Sequence, residues 1–398
     1  MKKMTLRILP AMLLAAFSGA ASAAAFQLWE QNASGLGTAY AGSAAVADNA
    51  STVFFNPAGM TQLSGFQFSA GVTGVGPSYE FRNEGSSGLV GNGSNGGNAG
   101  GWAAVPNAYM SWQLTPSLFL GLGISAPFGL ATEYQDSNWV GARQAVKSEI
   151  KTVNYNPSIA YRVNDKVSLG VGLNYQTIDS ELTSSLSRLK GDDAAWGWNA
   201  GALFTLSPAM RVGVSYRSTM DYTLEGNATT AVSSTPVRAD VKLPDTFILS
   251  VWQQVSDRWE AMGDLSYTRW NSIKSLNVIN RNTGALLTSE TFNYDSSWRF
   301  AWGAAYLANE TMKLKFGFAY DRTPVSNVDR SARVPDNDRL WFSLGGQWKA
   351  GTLGKIDAGY SYLYVKDPSI DQNRAGTTLR GKYDASAHIV GVQYSVGF

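Results

Sequence analysis

Few residues in this 398-residue chain could make or break bonds. There is no cysteine, so disulfides, thiolate-ligated zinc and thiol catalysis are excluded together. The one histidine, His388, is the only imidazole available to act as a general base beside a nucleophile or an activated water. It shares strand parity with Val390 and Val392, an apolar face, and no G-x-S-x-G elbow surrounds a serine. Asp192-Asp193 fall in a stretch that reads as a solvated loop. Asp336 and Asp338 lie beside Arg339, a simpler partner for either than an external cation. The chain is therefore not expected to be an enzyme, and no cofactor or metal is implied. Thirty-two basic against 30 acidic residues leave a net charge of +2, so no overall field points to nucleic acid.

The elements that must position the remaining polar groups are of an unusual kind. Only 16% of residues are charged, against about 25% in soluble domains, while 12% are aromatic and 41 are glycine. Residues 1–23 read as a secretory signal: Lys2, Lys3 and Arg7 precede an apolar stretch from Pro10 to Ala21, and Ala21-Ser22-Ala23 is a small-residue cleavage pattern. The mature chain is expected to start at Ala24. No later apolar run is long enough for a spanning helix, and a mean hydropathy of −0.14 argues against a helical membrane bundle.

Past residue 65 the chain alternates. Val390, Val392, Tyr394, Val396 and Phe398 oppose Gly391, Gln393, Ser395 and Gly397; Val167 to Tyr175 and Met312 to Tyr320 repeat the pattern. A period of two is that of a strand. The runs are two to three times the length of a sandwich strand, usually about 5–6 residues. Their polar faces favour Gly, Ser, Asn and Ala over Lys and Glu. Trp112, Trp139, Trp196, Trp252, Trp270 and Trp348 stand near run ends, where two interfacial girdles are expected. Only a closed barrel crosses lipid on strands with its backbone paired. Tight turns near Thr115-Pro116, Asn164-Asp165, Ser207-Pro208, Ser256-Asp257, Asn309-Glu310 and Gly351-Gly354 alternate with long loops near 82–101, 135–145, 183–194, 226–240, 281–290, 323–334 and 368–382. Six turns and seven loops predict an all-β, 14-stranded antiparallel transmembrane β-barrel over 65–398. Residues 24–64 do not alternate and carry few charges, so they are expected to fill the lumen as an N-terminal plug rather than trail as a tail.

Several blocks resemble the FadL-type outer-membrane transporters of long-chain fatty acids and other hydrophobic compounds. They include Ala24-Ala25-Phe26-Gln27-Leu28, the Gly35-Leu36-Gly37 to Gly42 stretch, Asn56-Pro57-Ala58, and Phe128-Gly129-Leu130-Ala131-Thr132-Glu133. Trp196-Gly197-Trp198-Asn199-Ala200-Gly201, Leu243-Pro244-Asp245, Ser266-Tyr267-Thr268-Arg269-Trp270 and Val334-Pro335-Asp336-Asn337-Asp338-Arg339 continue them. The resemblance implies passive uptake across the outer membrane. A ligand is caught in an external groove, passes to a site at the start of the plug (the hatch of that family), and leaves sideways through an inward kink in the third strand. Carried onto this chain, the substrate site takes Ala24, Phe26, Leu28, Asn56, Pro57 and Ala58, with the Asn56-Pro57-Ala58 turn beside the kink. The exit takes Pro127, Phe128 and Gly129. Partners are then hydrophobic small molecules and outer-membrane lipid, and a monomer is expected.

The residues support the kink on their own terms. Pro127 removes a ladder donor and Gly129 relaxes the backbone, so the strand that runs from Leu118 to Ile124 should bend or open there. No Lys or Arg stands at the stretches where fatty-acid carriers of the family place cations, near Ile178-Asp179-Ser180 and Tyr294-Asp295-Ser296. Arg143, Lys147, Arg217, Lys315, Arg330, Arg333 and Arg339 are the other cations to consider. Arg217 and Lys315 have inward parity and are candidates for a carboxylate, or for pairing with luminal acids. Neutral monoaromatic hydrocarbons are the alternative substrate. An open diffusion porin is a third reading, which ion conductance separates from a plugged barrel.

Overall fold

The computed structural model describes residues 25–88 and 93–398; the leader expected over 1–23, and Ala24, lie outside the described residues. The strands form one closed antiparallel barrel of 14. In chain order these are β1 (Phe66–Asn83), β2 (Ala103–Gln113), β3 (Leu118–Ser125, then Gly129–Glu133), β4 (Lys147–Arg162), β5 (Val167–Thr183), β6 (Arg188–Ser207) and β7 (Met210–Arg217, then Met220–Thr229). They continue as β8 (Ser234–Leu243, then Thr246–Gln254), β9 (Trp259–Thr268, then Ser275–Asn280), β10 (Leu286–Thr291, then Ser297–Leu307), β11 (Met312–Asp321), β12 (Arg339–Lys349), β13 (Lys355–Val365, then Ser369–Arg374) and β14 (Thr377–Gly397). The first strand closes on the last, in register from Gln67–Gly397 to Asn83–Gly381.

Alternation sorts the side chains as it must when one face meets lipid. Leu169, Val171 and Leu173, Phe316 and Phe318, and Val390 and Val392 are exposed on the outside, while Ser168, Asn174, Lys315 and Gln393 between them are buried. All six tight turns lie where the sequence places them, at the rim where β1 begins and β14 ends. The opposite rim differs from expectation. The loops predicted over 183–194, 226–240 and 368–382 are instead long hairpins with tips at 184–187, 230–233 and 375–376. Their polar residues read as loop, yet backbone pairing continues above the apolar band, because a ladder in water needs no apolar face. Three predicted girdle tryptophans also face elsewhere. Trp139 and Trp270 are fully buried. Trp139 folds over the mouth on Tyr134, and Trp270 turns into the lumen. Trp252 lies inside, packed against the buried cluster of Ala45, Ala58 and Leu203. Trp112, Trp196 and Trp348 are exposed, as a girdle requires.

Residues 25–64 lie against the inner wall, with 3₁₀ turns at Leu36–Thr38 and Pro57–Gln62 and a short helix at Thr52–Phe55. The wall is shaved to receive them. Gly303, Gly317, Gly345, Gly359 and Gly391, on five successive strands β10 to β14, abut Ala33, Leu36, Gly37, Thr38 and Ala41, leaving no room for a Cβ. On the other side Gly170 abuts Pro57-Ala58, Gly201 abuts Asn56 and Gly213 abuts Ala44. Polar wall groups add specific ties. Asp264 accepts from the Ser43 amide and hydroxyl (3.0 and 2.7 Å), and Gln393 accepts from the Ala33 amide (3.1 Å).

Candidate functional site

The third strand breaks at Ala126-Pro127-Phe128, between Ser125 and Gly129. Below the break it pairs with both neighbours; above it, Gly129–Glu133 pairs only with β4. Ala103 to Asn107 of β2 are left with β1 as their one ladder partner. The wall is therefore interrupted between β2 and β3, where Pro127 had predicted a bend. The freed backbone groups are met from inside. The Leu28 amide donates to the Pro127 carbonyl (2.8 Å) and the Gly129 amide to the Phe26 carbonyl (2.9 Å). Thr152 holds both backbone groups of Phe128 (3.1 and 2.6 Å). The start of the luminal segment thus acts as a short strand against the break.

Around Phe26 lies an apolar compartment. Its ring meets Trp270 edge-on at 4.9 Å and Phe128 at 6.3 Å, and Leu130, Ile178, Met220, Leu243 and Tyr294 enclose them. Of the predicted site residues, the structure brings together Phe26, Leu28, Pro127, Phe128 and Gly129. It does not bring Asn56, Pro57 and Ala58 to them. The Asn56 amide donates to the Ala44 and Ala202 carbonyls (2.8 and 3.0 Å) and accepts from Ala58 (3.1 Å). That turn seats on β5 and β6 rather than beside the kink. Lys315 also stands apart, buried between Asp357 (2.7 Å) and the Ser34 carbonyl (2.8 Å). Arg217 has no carboxylate among its described contacts. Its guanidinium donates to Asn174 and to the Phe54 carbonyl (2.8 Å) and lies over the Phe54 ring (4.1 Å). Asn174 continues into a carboxamide row with Asn154, Asn199 and Asn156 on the inner wall of β4 to β6. That row runs toward the interruption, since Asn154 pairs across from Ser125.

Sequence reasoning passed over Glu30. It is fully buried beside this region, and neither carboxylate oxygen has a hydrogen-bond partner among the described residues. Burial pushes its carboxyl up to about 7, against the pull of Arg339 and Arg299. Its isolation in sequence was the available signal: Glu30 and Asp48 are the only charged residues between Ala25 and Ser64. At the long-loop rim a groove of about 360 Å³ is lined by Leu182, Leu186, Leu189, Leu276 and Val278, with Arg143, Arg333 and Arg374 among its polar residues. The last two are engaged, Arg333 by backbone carbonyls of residues 144, 147 and 183 and Arg374 by Glu290.

A closed antiparallel barrel with an apolar outer band and tight turns at one rim is the architecture of bacterial outer-membrane proteins. Residues 14–398 match the family described as outer membrane protein transport protein (OMPP1/FadL/TodX), and the chain belongs to it. It is 32% identical to outer membrane protein P1 of Haemophilus influenzae, each chain covered in full. It is 28% identical to a long-chain fatty acid transport protein of Escherichia coli, with 98% of this chain and 97% of the relative covered. Among solved structures, a Pseudomonas aeruginosa FadL homologue superposes with a TM-score of 0.89 at 22% identity, covering 94% of this chain and all of that one. The Ralstonia pickettii toluene transporter TbuX gives 0.70 at 18% identity, covering 93% and 100%. The protein is an outer-membrane transporter of hydrophobic compounds.

Proposed function

We propose that the protein takes up long-chain fatty acids passively, binds them in the compartment around Phe26, and releases them sideways through the break in β3, with residues 24–64 plugging the lumen. The observation that carries this is the adjacency of a dry apolar compartment and an interruption in the wall, joined by the pairing of residues 26–28 with 127–129. A wall exit keeps an acyl chain out of water, where exposure costs about 0.8 kcal/mol per CH₂. The groove of Leu182, Leu186 and Leu189 suits first capture. Arg217, with no acid beside it, suits the carboxylate; Lys315, held by Asp357, belongs to the seat of the plug.

Uptake of neutral monoaromatics by the same route is the second reading, favoured by the aromatic lining of the compartment. Binding of oleate and of toluene to purified protein separates the two, paired with uptake by cells lacking and expressing it. Tight, pH-dependent oleate binding supports the first reading, and preference for toluene the second. Binding of neither overturns both. The lateral route has its own test: replacing Phe128 and Gly129 with two bulky residues should stop uptake while ligand still binds, and unchanged uptake removes that exit.

A further inference from the structure

The wall has a second interruption. Between the Arg238–Ile279 and Thr246–Thr268 pairs no ladder pair joins β8 to β9 among the described residues. On the β8 side Pro244 lacks an amide donor and starts the separation, as Pro127 does in β3. On the β9 side the chain inserts the 3₁₀ turn Trp270–Ser272, which carries the Trp270 ring into the lumen. The upper part of β9 stays paired with β10 and meets β8 again only at Val237–Asn280 and Arg238–Ile279. The space left is a cavity of about 290 Å³, and both faces of the sheet line it. Asp240 and Lys242 come from the outer face; Tyr222, Val241, Ile273 and Phe292 from the inner. Those four belong to the Phe26 compartment or pack on it. The cavity is thus lined from both faces of the wall, and its inner lining belongs to the apolar cluster around Phe26. An enclosed apolar cavity of about 150 Å³ admits benzene; this larger opening, with Asp221, Asp240 and Lys242 at its outer side, has room for a monoaromatic ring or part of an acyl chain.

The two interruptions differ in polarity. The rim of the β8–β9 cavity is charged, with an exposed Lys242–Asp221 ion pair (3.0 Å) and Asp240. Such groups are costly in hydrocarbon and belong at or above the headgroups. The gap between β2 and β3 is bordered on its outer face by Ala104, Pro106 and Ala108 of β2 and by Ile124 of β3, which suit lipid, and the Lys151–Glu149 ion pair stands on the far side of β3. Resting on the transport reading above, we propose that the β8–β9 window is a lateral entrance, admitting hydrophobic cargo from the outer surface straight onto Trp270 and Phe26 without passage over the top of the mouth. Cargo enters at the polar rim of one opening and leaves at the apolar rim of the other, with Phe26 between.

The cysteine-free chain allows a direct test. A Lys242→Cys, Ser272→Cys double variant places thiols on opposite sides of the window, where the Ser272 hydroxyl already approaches the Lys242 carbonyl at 3.5 Å. Uptake of oleate and of toluene is compared in the oxidised and reduced states of this one variant. The expected result is loss of uptake on oxidation, to the level of cells lacking the protein, and recovery on reduction. Equal uptake in both states overturns the entrance and leaves the window as a seat for a lipid chain. Val241→Trp, filling the cavity without a cross-link, should slow uptake with the barrel's heat-modifiable mobility intact; unchanged uptake there also overturns the proposal. Absence of uptake by the unaltered protein removes the transport reading itself, an outcome distinct from either.

Discussion

Glu30 is a buried carboxyl without a side-chain hydrogen-bond partner among the described residues, and burial favours its protonated form. Its carboxyl sits at about 7 through burial, with Arg339 and Arg299 pulling it down and Asp321 pushing it up. A carboxyl raised in the fold contributes stability below its ordinary value of 4.5 and loses it as pH climbs through about 7. Glu30→Gln should therefore raise the unfolding temperature at pH 8 and leave it unchanged at pH 4, a difference of up to about 3 kcal/mol; equal curves at both pH values refute the assignment. Arg217 is the opposite case, a cation with no carboxylate among its described contacts and the one proposed for a ligand's. Arg217→Gln should weaken oleate binding roughly tenfold or more, the worth of a charge-assisted hydrogen bond of about 1.5–3 kcal/mol, and leave oleyl alcohol unaffected. Parity alone placed Arg217 and Lys315 inside the barrel. Which of them is already paired depends on residues more than 40 positions away in sequence, such as Asp357.

At the scale of elements, what the sequence displayed was whatever depends on near neighbours. Alternation marked the strands, turn residues marked the short rim, and Pro127 marked the break in β3. Three things needed the third dimension. The hairpins at 184–187 and 230–233 extend above the membrane, where polar residues pair as well as apolar ones. Pro244 carries the same signal as Pro127, but its effect depends on the extra length of β9 opposite it. The Asn56-Pro57-Ala58 turn lies on β5 and β6 because Gly170 and Gly201 leave space there. That contact is testable: Gly201→Val would drive a side chain into Asn56. Overpacking of this kind costs about 1–3 kcal/mol. The expected outcome is a plug cut by added protease while the barrel stays resistant; a plug as protected as in the unaltered protein refutes the contact.

At the scale of the whole molecule, residues 26–28 and the wall at 127–129 are joined by backbone pairing, and the proposed function makes them one unit. Deleting residues 24–28 should abolish uptake and leave a barrel of unchanged heat-modifiable mobility, because the rest of the plug keeps its ties to Asp264 and Gln393. Uptake that survives the deletion would detach the site from the plug. Planar-bilayer conductance of the intact protein should be near zero, which separates it from an open porin. The glycine belt carries one more consequence, about the order of assembly. Wall glycines on eight strands abut residues 33–58 with no room for a Cβ, so a finished barrel offers little slack for threading that segment afterwards. The plug directly precedes β1, and the seam that closes the wall joins β1 to β14, the last strand to be synthesised. Closure of the β1–β14 seam around residues 25–64 already in place needs no threading, and that order of assembly is the one expected.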